Sequence, residues 1–146
     1  SYLHCSPRQL FDVWQSTVVG HLAASAVGYN AQYANGLTAM FIAMGQDVAN
    51  VVNSSCGITN FQLADGGLYV SLTLPALSIA TVGGGTGLGT QRECLEMVGC
   101  FGSGQSKKLA EIVAAALLGG EISMGAAIAS GEFAAAHEQY GRTRPK

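Results

Sequence analysis

Five glycines lie within seven residues, directly after an apolar run that ends at Val82. They are Gly83, Gly84, Gly85, Gly87 and Gly89. A backbone without side chains can turn its N–H groups toward an anion or let a flat ligand lie against it. The spacing does not fit the dinucleotide-binding fingerprint, because Leu88 or Thr90 lies where its third glycine would be, and no P-loop lysine follows. On these residues alone, a ligand-lining loop and a plain turn between sheet and helix both remain open.

Side chains that could ligate a metal are scattered along the chain. The four cysteines, at positions 5, 56, 94 and 100, form no CxxC pair, and His4, His21 and His137 lie far apart. The first five residues are too few and too polar for a signal-peptide core. The sequence therefore predicts no metal site, reduced and mostly buried thiols, and a cytoplasmic protein.

Composition limits the classes of function. A chain of 146 residues is the size of one domain, so residues 1–146 are predicted to share one core. Apolar residues make up 49% and charged residues 11%, which predicts a surface buried against a partner. The net charge of −2 argues against a nucleic-acid partner. The longest clean apolar run, near 112–118 between Glu111 and Glu121, is too short for a membrane span, so none is expected.

Two helices are predicted in the first third of the chain. Ser6, Pro7 and Gln9 form a capping-box start, and the helix should continue to about Val27. Apolar residues then recur at helical spacing and predict a second helix from about Tyr33 to Val52.

A small antiparallel sheet is predicted next. Residues 57–63 and 68–74 flank an Asp-Gly turn, which indicates a hairpin, and residues 77–82 are a candidate for a third extended piece. Three helices should follow: 90–98 with a Thr90/Glu93 capping box, 107–118 capped by Ser106, and about 121–140. The predicted class is α+β.

Five sequence segments give a family resemblance. In order they are GYNAQYAN, AMGQD, SSCGIT, LYVSLTLPALSIATVGGGTGL and AAAHEQYGRT. Together they resemble the C-terminal part of the class I catalytic domain of hydroxymethylglutaryl-CoA (HMG-CoA) reductases, over about residues 10–143. The resemblance implies that the loop Gly83, Gly84, Gly85, Thr86 lies against a nicotinamide cofactor and the substrate.

The same resemblance assigns roles to single residues. Asp47 matches the active-site aspartate of the GQD motif, and His137 matches the histidine that protonates the departing CoA thiolate. A histidine suits that role, because its ordinary pKa allows proton donation near neutral pH. Asn35 matches a substrate-contacting asparagine. Gln32, Ser16 and Met124 complete the implied substrate-binding set.

The sequence also departs from the family. The family's catalytic glutamate and lysine, its small nicotinamide-binding domain and its dimer segment lie upstream of the matched region and have no counterpart here. Ser16 replaces the family's substrate-binding lysine, and Gln32 replaces a histidine. Losing an ion pair to the substrate carboxylate would cost roughly 1.5 to 3 kcal/mol of binding.

These departures favour a stand-alone descendant that has lost hydride transfer and uses no cofactor. It would form a homodimer or larger homo-oligomer and isomerise or cyclise an acyl or polyketide-like small molecule. One alternative is the C-terminal portion of an NADPH-dependent HMG-CoA reductase whose other part supplies the missing groups. Another is a non-catalytic binding subunit.

Overall fold

A computed structural model describes residues 2–141. This part of the chain contains six α-helices and one two-stranded antiparallel sheet, which confirms the α+β class. The helices are α1 (Pro7–Ala23), α2 (Tyr33–Ala43), α3 (Val51–Ser54), α4 (Gly89–Met97), α5 (Ser106–Ala129) and α6 (Glu132–Tyr140). The strands are β1 (Ile58–Ala64) and β2 (Gly67–Thr73), and short 3₁₀ helices cover Val48–Asn50 and Gly84–Gly87.

Helix α1 begins as predicted and ends early. The Ser6 hydroxyl accepts a hydrogen bond from the Gln9 N–H, and the Gln9 side chain accepts one from the Ser6 N–H, which confirms the capping box. The helix stops at Ala23 because Ser25 takes a left-handed conformation (φ 54°) and the Ala26 N–H bonds back to the His21 carbonyl. The predicted end near Val27 is therefore wrong by one turn.

The predicted second helix is divided into separate pieces. Helix α2 ends at Ala43, and Gly45 then turns the chain with a φ of +66°. A 3₁₀ helix and the short α3 follow. The predicted helix to Val52 is therefore wrong. The chain turns at Gly45, which lies against the backbone of Gly85, and sequence periodicity does not reveal this contact.

The predicted hairpin is confirmed. Strands β1 and β2 pair from Ile58–Thr73 to Ala64–Gly67. Asp65 and Gly66 form the turn, both with positive φ, as the Asp-Gly pattern predicts. The extended piece at residues 77–82 joins no sheet within residues 2–141, since the side chain of Gln46, and not a strand, bonds its backbone.

The last helices differ from the prediction at their caps and at one break. Neither Thr90 nor Ser106 forms a side-chain cap, because α4 follows Leu88 directly and Ser106 is already the first residue of α5. Helix α5 continues through Gly119 and Gly120 to Ala129, and the break comes instead at Ser130 and Gly131 (φ 79°), before α6. The predicted interruption near Gly119 and the predicted unbroken helix over 121–140 are therefore both wrong. A side chain at Gly120 would collide with the Gln32 amide, so this glycine allows close packing of α5 against α2.

Helix α5 forms the centre of the core. Its residues Leu109, Val113 and Leu117 pack with Tyr33, Leu37 and Phe41 of α2, and with Leu95 and Cys100. Within residues 2–141, α5 is also the one helix that is long and apolar enough to cross a membrane by length and composition. The central helix of a folded domain has the same profile, and α5 contacts α1, α2, β2 and α6.

Candidate functional site

An open cleft of about 430 Å³ lies between the turn after α2 and the glycine loop. Gly45, Gln46 and Asp47 line one side, and the segment 82–86 lines the other. Asn50, Ser78, Ile79, Ala80, Leu88 and Gln91 complete the lining. The structure therefore brings together Asp47 and the predicted ligand loop, which are 36 or more residues apart in the sequence.

The glycines of this loop serve two purposes. Gly83 (φ 80°, ψ 176°) and Gly84 (φ 55°) adopt conformations that L-residues rarely take, and a Cβ built on either would meet nothing within 4 Å. Gly85 differs, because its Cβ would come within 2.8 Å of the Gly45 carbonyl. Gly83 and Gly84 thus leave bare backbone at the cleft, whereas Gly85 is needed for contact between the two walls.

Thr86 closes the loop from inside. It is 2% exposed, and its hydroxyl donates to the Gly83 carbonyl at 2.6 Å. The Thr86 N–H bonds to the same carbonyl at 3.2 Å. These two bonds hold the loop in its 3₁₀ turn, so Thr86 shapes the bare backbone at Gly83 and Gly84.

Gln46 joins the two walls of the cleft. Its side-chain oxygen accepts from the Ala80 N–H at 2.7 Å, and its amide nitrogen donates to the Ala80 carbonyl at 2.9 Å. The same nitrogen donates to the Met44 carbonyl at 2.9 Å. The amide thus bonds Ala80 as a neighbouring strand would, and it fixes the segment leading to Gly83 beside Asp47.

Asp47 caps the 3₁₀ helix that begins at Val48. One carboxylate oxygen accepts from the Ala49 N–H at 3.0 Å, and the side chain is exposed at the cleft. The other oxygen has no hydrogen-bond partner within residues 2–141. The cap fixes the position of the carboxylate, and the second oxygen remains available to a ligand.

His137 does not line this cleft in the single chain. It lies on α6, where every residue is exposed, and its Nδ1 donates to the Phe133 carbonyl at 2.8 Å. The Phe133 ring lies 4.2 Å away, centroid to centroid. Because a carbonyl only accepts, the proton is on Nδ1, and Nε2 is the nitrogen left for other chemistry. The active-site roles that the resemblance gives to Asp47 and His137 stay a prediction.

The predicted substrate-binding residues lie elsewhere on the chain. Asn35 is exposed on the first turn of α2, and Met124 is half-buried on α5. Ser16 is exposed on α1 and donates to the Asp12 carbonyl at 3.0 Å. The Gln32 amide donates to the Leu117 carbonyl at 3.0 Å, so it supports packing of α2 on α5. None of these four residues lines the Asp47 cleft.

A buried carboxylate, Glu121, was missed by the sequence analysis. It is 5% exposed and accepts hydrogen bonds from the backbone N–H groups of Ala31 (2.8 Å) and Gln32 (2.7 Å). Thr59 donates its hydroxyl to the second oxygen at 3.1 Å. Tyr33 in turn donates its hydroxyl to Thr59 at 2.8 Å, since the Thr59 proton is already used. These five residues are called the Glu121 cluster below.

Burial sets the protonation behaviour of the cluster. Desolvation raises the pKa of Glu121 above its ordinary value, although the hydrogen bonds from Gln32, Ala31 and Thr59 and the nearby His21 oppose the shift. Desolvation also raises the pKa of Tyr33 to about 12. One feature of the sequence could have indicated this buried carboxylate. Glu121 is the single acidic residue in the long run of apolar and small residues that forms the C-terminal half of α5.

No group of three metal-ligating side chains converges anywhere between residues 2 and 141. The four cysteines are free thiols there. Cys100 is buried, and Cys5, Cys56 and Cys94 are half-buried. The metal-free expectation stays a prediction.

The architecture is that of an α+β domain with an open cleft in which the bare backbone of Gly83 and Gly84 lies beside the Asp47 carboxylate. Comparison with known proteins then identifies the family of this domain. Residues 1–142 match the hydroxymethylglutaryl-coenzyme A reductase family, and the chain belongs to that family. The resemblance seen in the sequence is therefore confirmed.

Archaeal reductases are among the similar proteins. The 3-hydroxy-3-methylglutaryl-coenzyme A reductase of Methanocaldococcus jannaschii is 50% identical over 124 residues, which cover 85% of this chain and 31% of the relative. That of Methanothermobacter thermautotrophicus is 43% identical over 143 residues, covering 97% of this chain and 36% of the relative. A plant reductase from Oryza sativa is 42% identical over 139 residues, or 86% of this chain and 26% of the relative. The chain thus spans about a third of the length of these relatives.

Proposed function

We propose that this chain forms the C-terminal portion of an NADPH-dependent HMG-CoA reductase. The observation that carries the proposal is the family match over residues 1–142, with identities of 40 to 50% to reductases. The bare backbone of Gly83 and Gly84 beside Asp47 gives that match a site with suitable chemistry. The catalytic glutamate and lysine would come from the part of the reductase that this chain does not span.

The cleft would take the nicotinamide group. An added Cβ at Gly83 or Gly84 would meet nothing within 4 Å, so open space lies beside this backbone and a flat ring can approach it. NADPH supplies hydride when bound. This chain's own contribution would be the shape of the loop, held by Thr86 from inside and by Gln46 from the opposite wall.

Two ionisable residues would handle protons and charge. Asp47, fixed by its cap on Ala49, would use its second carboxylate oxygen to orient the lysine that the rest of the reductase supplies. His137 would act in its doubly protonated form, donating the Nε2 proton to the departing thiolate while the Nδ1 proton stays bonded to the Phe133 carbonyl. Both side chains are exposed on the single chain, so the rest of the reductase, or a second copy, would exclude water from them.

The stand-alone isomerase or cyclase has less support. It was favoured because Ser16 and Gln32 replace the family's lysine and histidine. In the structure each side chain donates to a backbone carbonyl of this chain, and neither lines the Asp47 cleft. A reductase containing Ser16 is expected to bind the substrate carboxylate less tightly, but the change removes no group that this chain supplies to hydride transfer.

Self-association is part of the proposal. Val82 and Leu88 at the cleft, and Ile42, Val48 and Val52 nearby in the sequence, are exposed apolar side chains. Covering them against a second copy would remove apolar surface from water. Light scattering at micromolar concentration should give a mass above that of the monomer. A monomer mass would mean that the site needs no second copy.

A chimera tests the activity directly. This chain would replace the matching segment of the M. jannaschii reductase, the relative that is 50% identical, and NADPH oxidation with HMG-CoA would be followed at about 340 nm. The chimera should be active, whereas the 146-residue chain alone should not oxidise NADPH. Asp47→Asn, which keeps the oxygen that caps Ala49 but removes the charge, should inactivate the chimera without unfolding it.

Two results would contradict the proposal. One is a chimera that folds and assembles like its parent but oxidises no NADPH. The other is an Asp47→Asn chimera with full activity, because the cleft would then have no part in the reaction. Oxidation of NADPH by the isolated chain would instead show that the missing glutamate and lysine are not needed.

A further inference from the structure

The segment before α2 uses its polar atoms to bind the rest of the fold. Tyr29 bridges β1, with its N–H on the Gly57 carbonyl and its carbonyl on the Thr59 N–H. The Asn30 amide donates to the carbonyls of Ser55 and Gly57, and its oxygen accepts from the Tyr33 N–H. The N–H groups of Ala31 and Gln32 remain, and Glu121 accepts both.

Glu121 is thus the one charged group holding the start of α2 among the described residues. Its two oxygens reach two consecutive N–H groups at the positive end of the helix and one hydroxyl of β1, so a single side chain of α5 fixes α2 and β1 together. A buried carboxylate is costly to desolvate. Here three hydrogen bonds oppose that cost, and they pair the N–H groups of Ala31 and Gln32 and the hydroxyl of Thr59.

Asn35 lies one turn further along the same helix. It is exposed, and no hydrogen bond of its own fixes it within residues 2–141. Its position therefore depends on how α2 is held. At its N-terminal end α2 is held by Asn30, by the two N–H groups bound to Glu121, by the Gln32 amide on the Leu117 carbonyl and by the buried Tyr33.

We infer that Glu121 is a positioning residue that acts through the start of α2 to place Asn35 against the acyl-CoA substrate. This inference rests on the proposed function, because the substrate contact of Asn35 comes with the reductase family. Glu121 touches no substrate. It holds the first turn of α2 in one position, so that Asn35 meets the substrate without having to be ordered on binding.

The test uses the chimera with three variants. Glu121→Gln keeps the shape and one oxygen that can accept from the Ala31 and Gln32 N–H groups, but it removes the charge and turns an NH2 group toward Thr59. Thr59→Val removes only the hydroxyl of β1 and leaves both backbone bonds. Glu111→Gln, at an exposed position on the same helix, controls for loss of a charge. Hydrogen exchange of the peptide covering residues 28–36 and the KM for HMG-CoA are measured for each.

We expect Glu121→Gln to speed exchange in residues 28–36 and to raise the KM by about threefold to thirtyfold, with a smaller change in kcat. Thr59→Val should raise the KM less, and Glu111→Gln should change neither quantity. The KM difference between wild type and Glu121→Gln should shrink at acid pH, where Glu121 is protonated. The facing ionisable groups, His21 and Tyr33, are the same in both proteins.

The outcomes separate this inference from the proposed function. An inactive wild-type chimera contradicts the proposed function, and exchange in residues 28–36 still reports whether Glu121 holds α2. Unchanged exchange in Glu121→Gln overturns the inference. Faster exchange with an unchanged KM also overturns it, because the clamp would then be structural only. A rise in KM that Asn35→Ala abolishes in the double variant supports it.

Discussion

The cleft and the Glu121 cluster lie at the two ends of α2 and use backbone groups in opposite ways. At the end of the helix, Gly45 brings the chain against Gly85, and Gly83 and Gly84 leave their backbone uncovered. At the start, Ala31 and Gln32 have their N–H groups bound by a buried carboxylate. Bare backbone is what a ligand can approach, whereas fully bonded backbone is what keeps a helix in place. Helix α2 is therefore firmly held at its N-terminal end, and its C-terminal end leads into the open cleft.

The largest effect should come from the reacting groups and leave both regions folded. His137→Ala in the chimera is expected to lower kcat by about 10²- to 10⁴-fold, the scale of a lost proton donor. Because α6 is exposed throughout, the melting temperature should stay near that of wild type. His21→Ala is no suitable control, since that ring lies near Glu121. Glu138→Ala, which is exposed on the same helix, serves instead. A normal kcat in His137→Ala would remove this histidine from the site.

The second-largest effect should come from a change that is confined to the cleft. Gly84→Val places a branched side chain where φ is 55° and nothing lies within 4 Å, so the side chain would occupy the cleft. We expect kcat/KM to fall by at least about tenfold. Gly87→Val is the control, because its φ is not positive and it does not line the cleft. Equal losses in both variants would mean that the loop tolerates no valine, whatever its relation to the ligand.

A third change separates the walls of the cleft. Gly45→Ala should lower the free energy of unfolding by about 2 to 4 kcal/mol, because an L-residue is strained at this φ and its Cβ would collide with the Gly85 carbonyl. Gly119→Ala should raise it by about 0.5 to 1 kcal/mol, since that helical glycine has no atom within 4 Å of an added Cβ. Chemical denaturation of both variants measures the difference. Effects of the same sign would contradict this reading of the two glycines.

The smallest effect concerns the Glu121 cluster and depends on pH. Burial raises the pKa of Glu121, so the folded state holds a proton more readily than the unfolded state between the ordinary carboxyl pKa and the raised one. Wild-type stability is therefore expected to fall, relative to Glu121→Gln, as the pH rises above the ordinary carboxyl pKa of about 4. The control is Glu111→Gln. A gap that widens in favour of wild type with rising pH would show that the hydrogen bonds outweigh burial.

Local chemistry was predictable and long-range contact was not. The capping box at Ser6 and Gln9 and the turn at Asp65 and Gly66 depend on neighbours within four residues, and both are confirmed. The roles of Gly45 and Gly120 were predicted wrongly. Gly45 ends a helix, whereas Gly120 lies inside one and packs against Gln32, and the sequence alone does not distinguish these two uses of glycine.

The candidate site shows the same difference between local features, which were predicted, and long-range contacts, which were not. The glycine loop and Asp47 were predicted and lie in one cleft. Glu121 was missed because burial of a carboxylate is decided by α2, β1 and α5 together, and none of these alone marks it. The bond from Gln46 to Ala80 was missed for the same reason, since it depends on residues 34 positions apart.

The contact between Gly45 and Gly85 also has a consequence for how this sequence can vary. A side chain added at either position would collide with the backbone of the other residue, so a larger residue at one position cannot be compensated by a change of side chain at the other. Natural variants should therefore keep both glycines or lose both, the latter with a shifted loop. A library randomised at both positions and selected for folding should return the Gly–Gly pair far more often than either glycine alone.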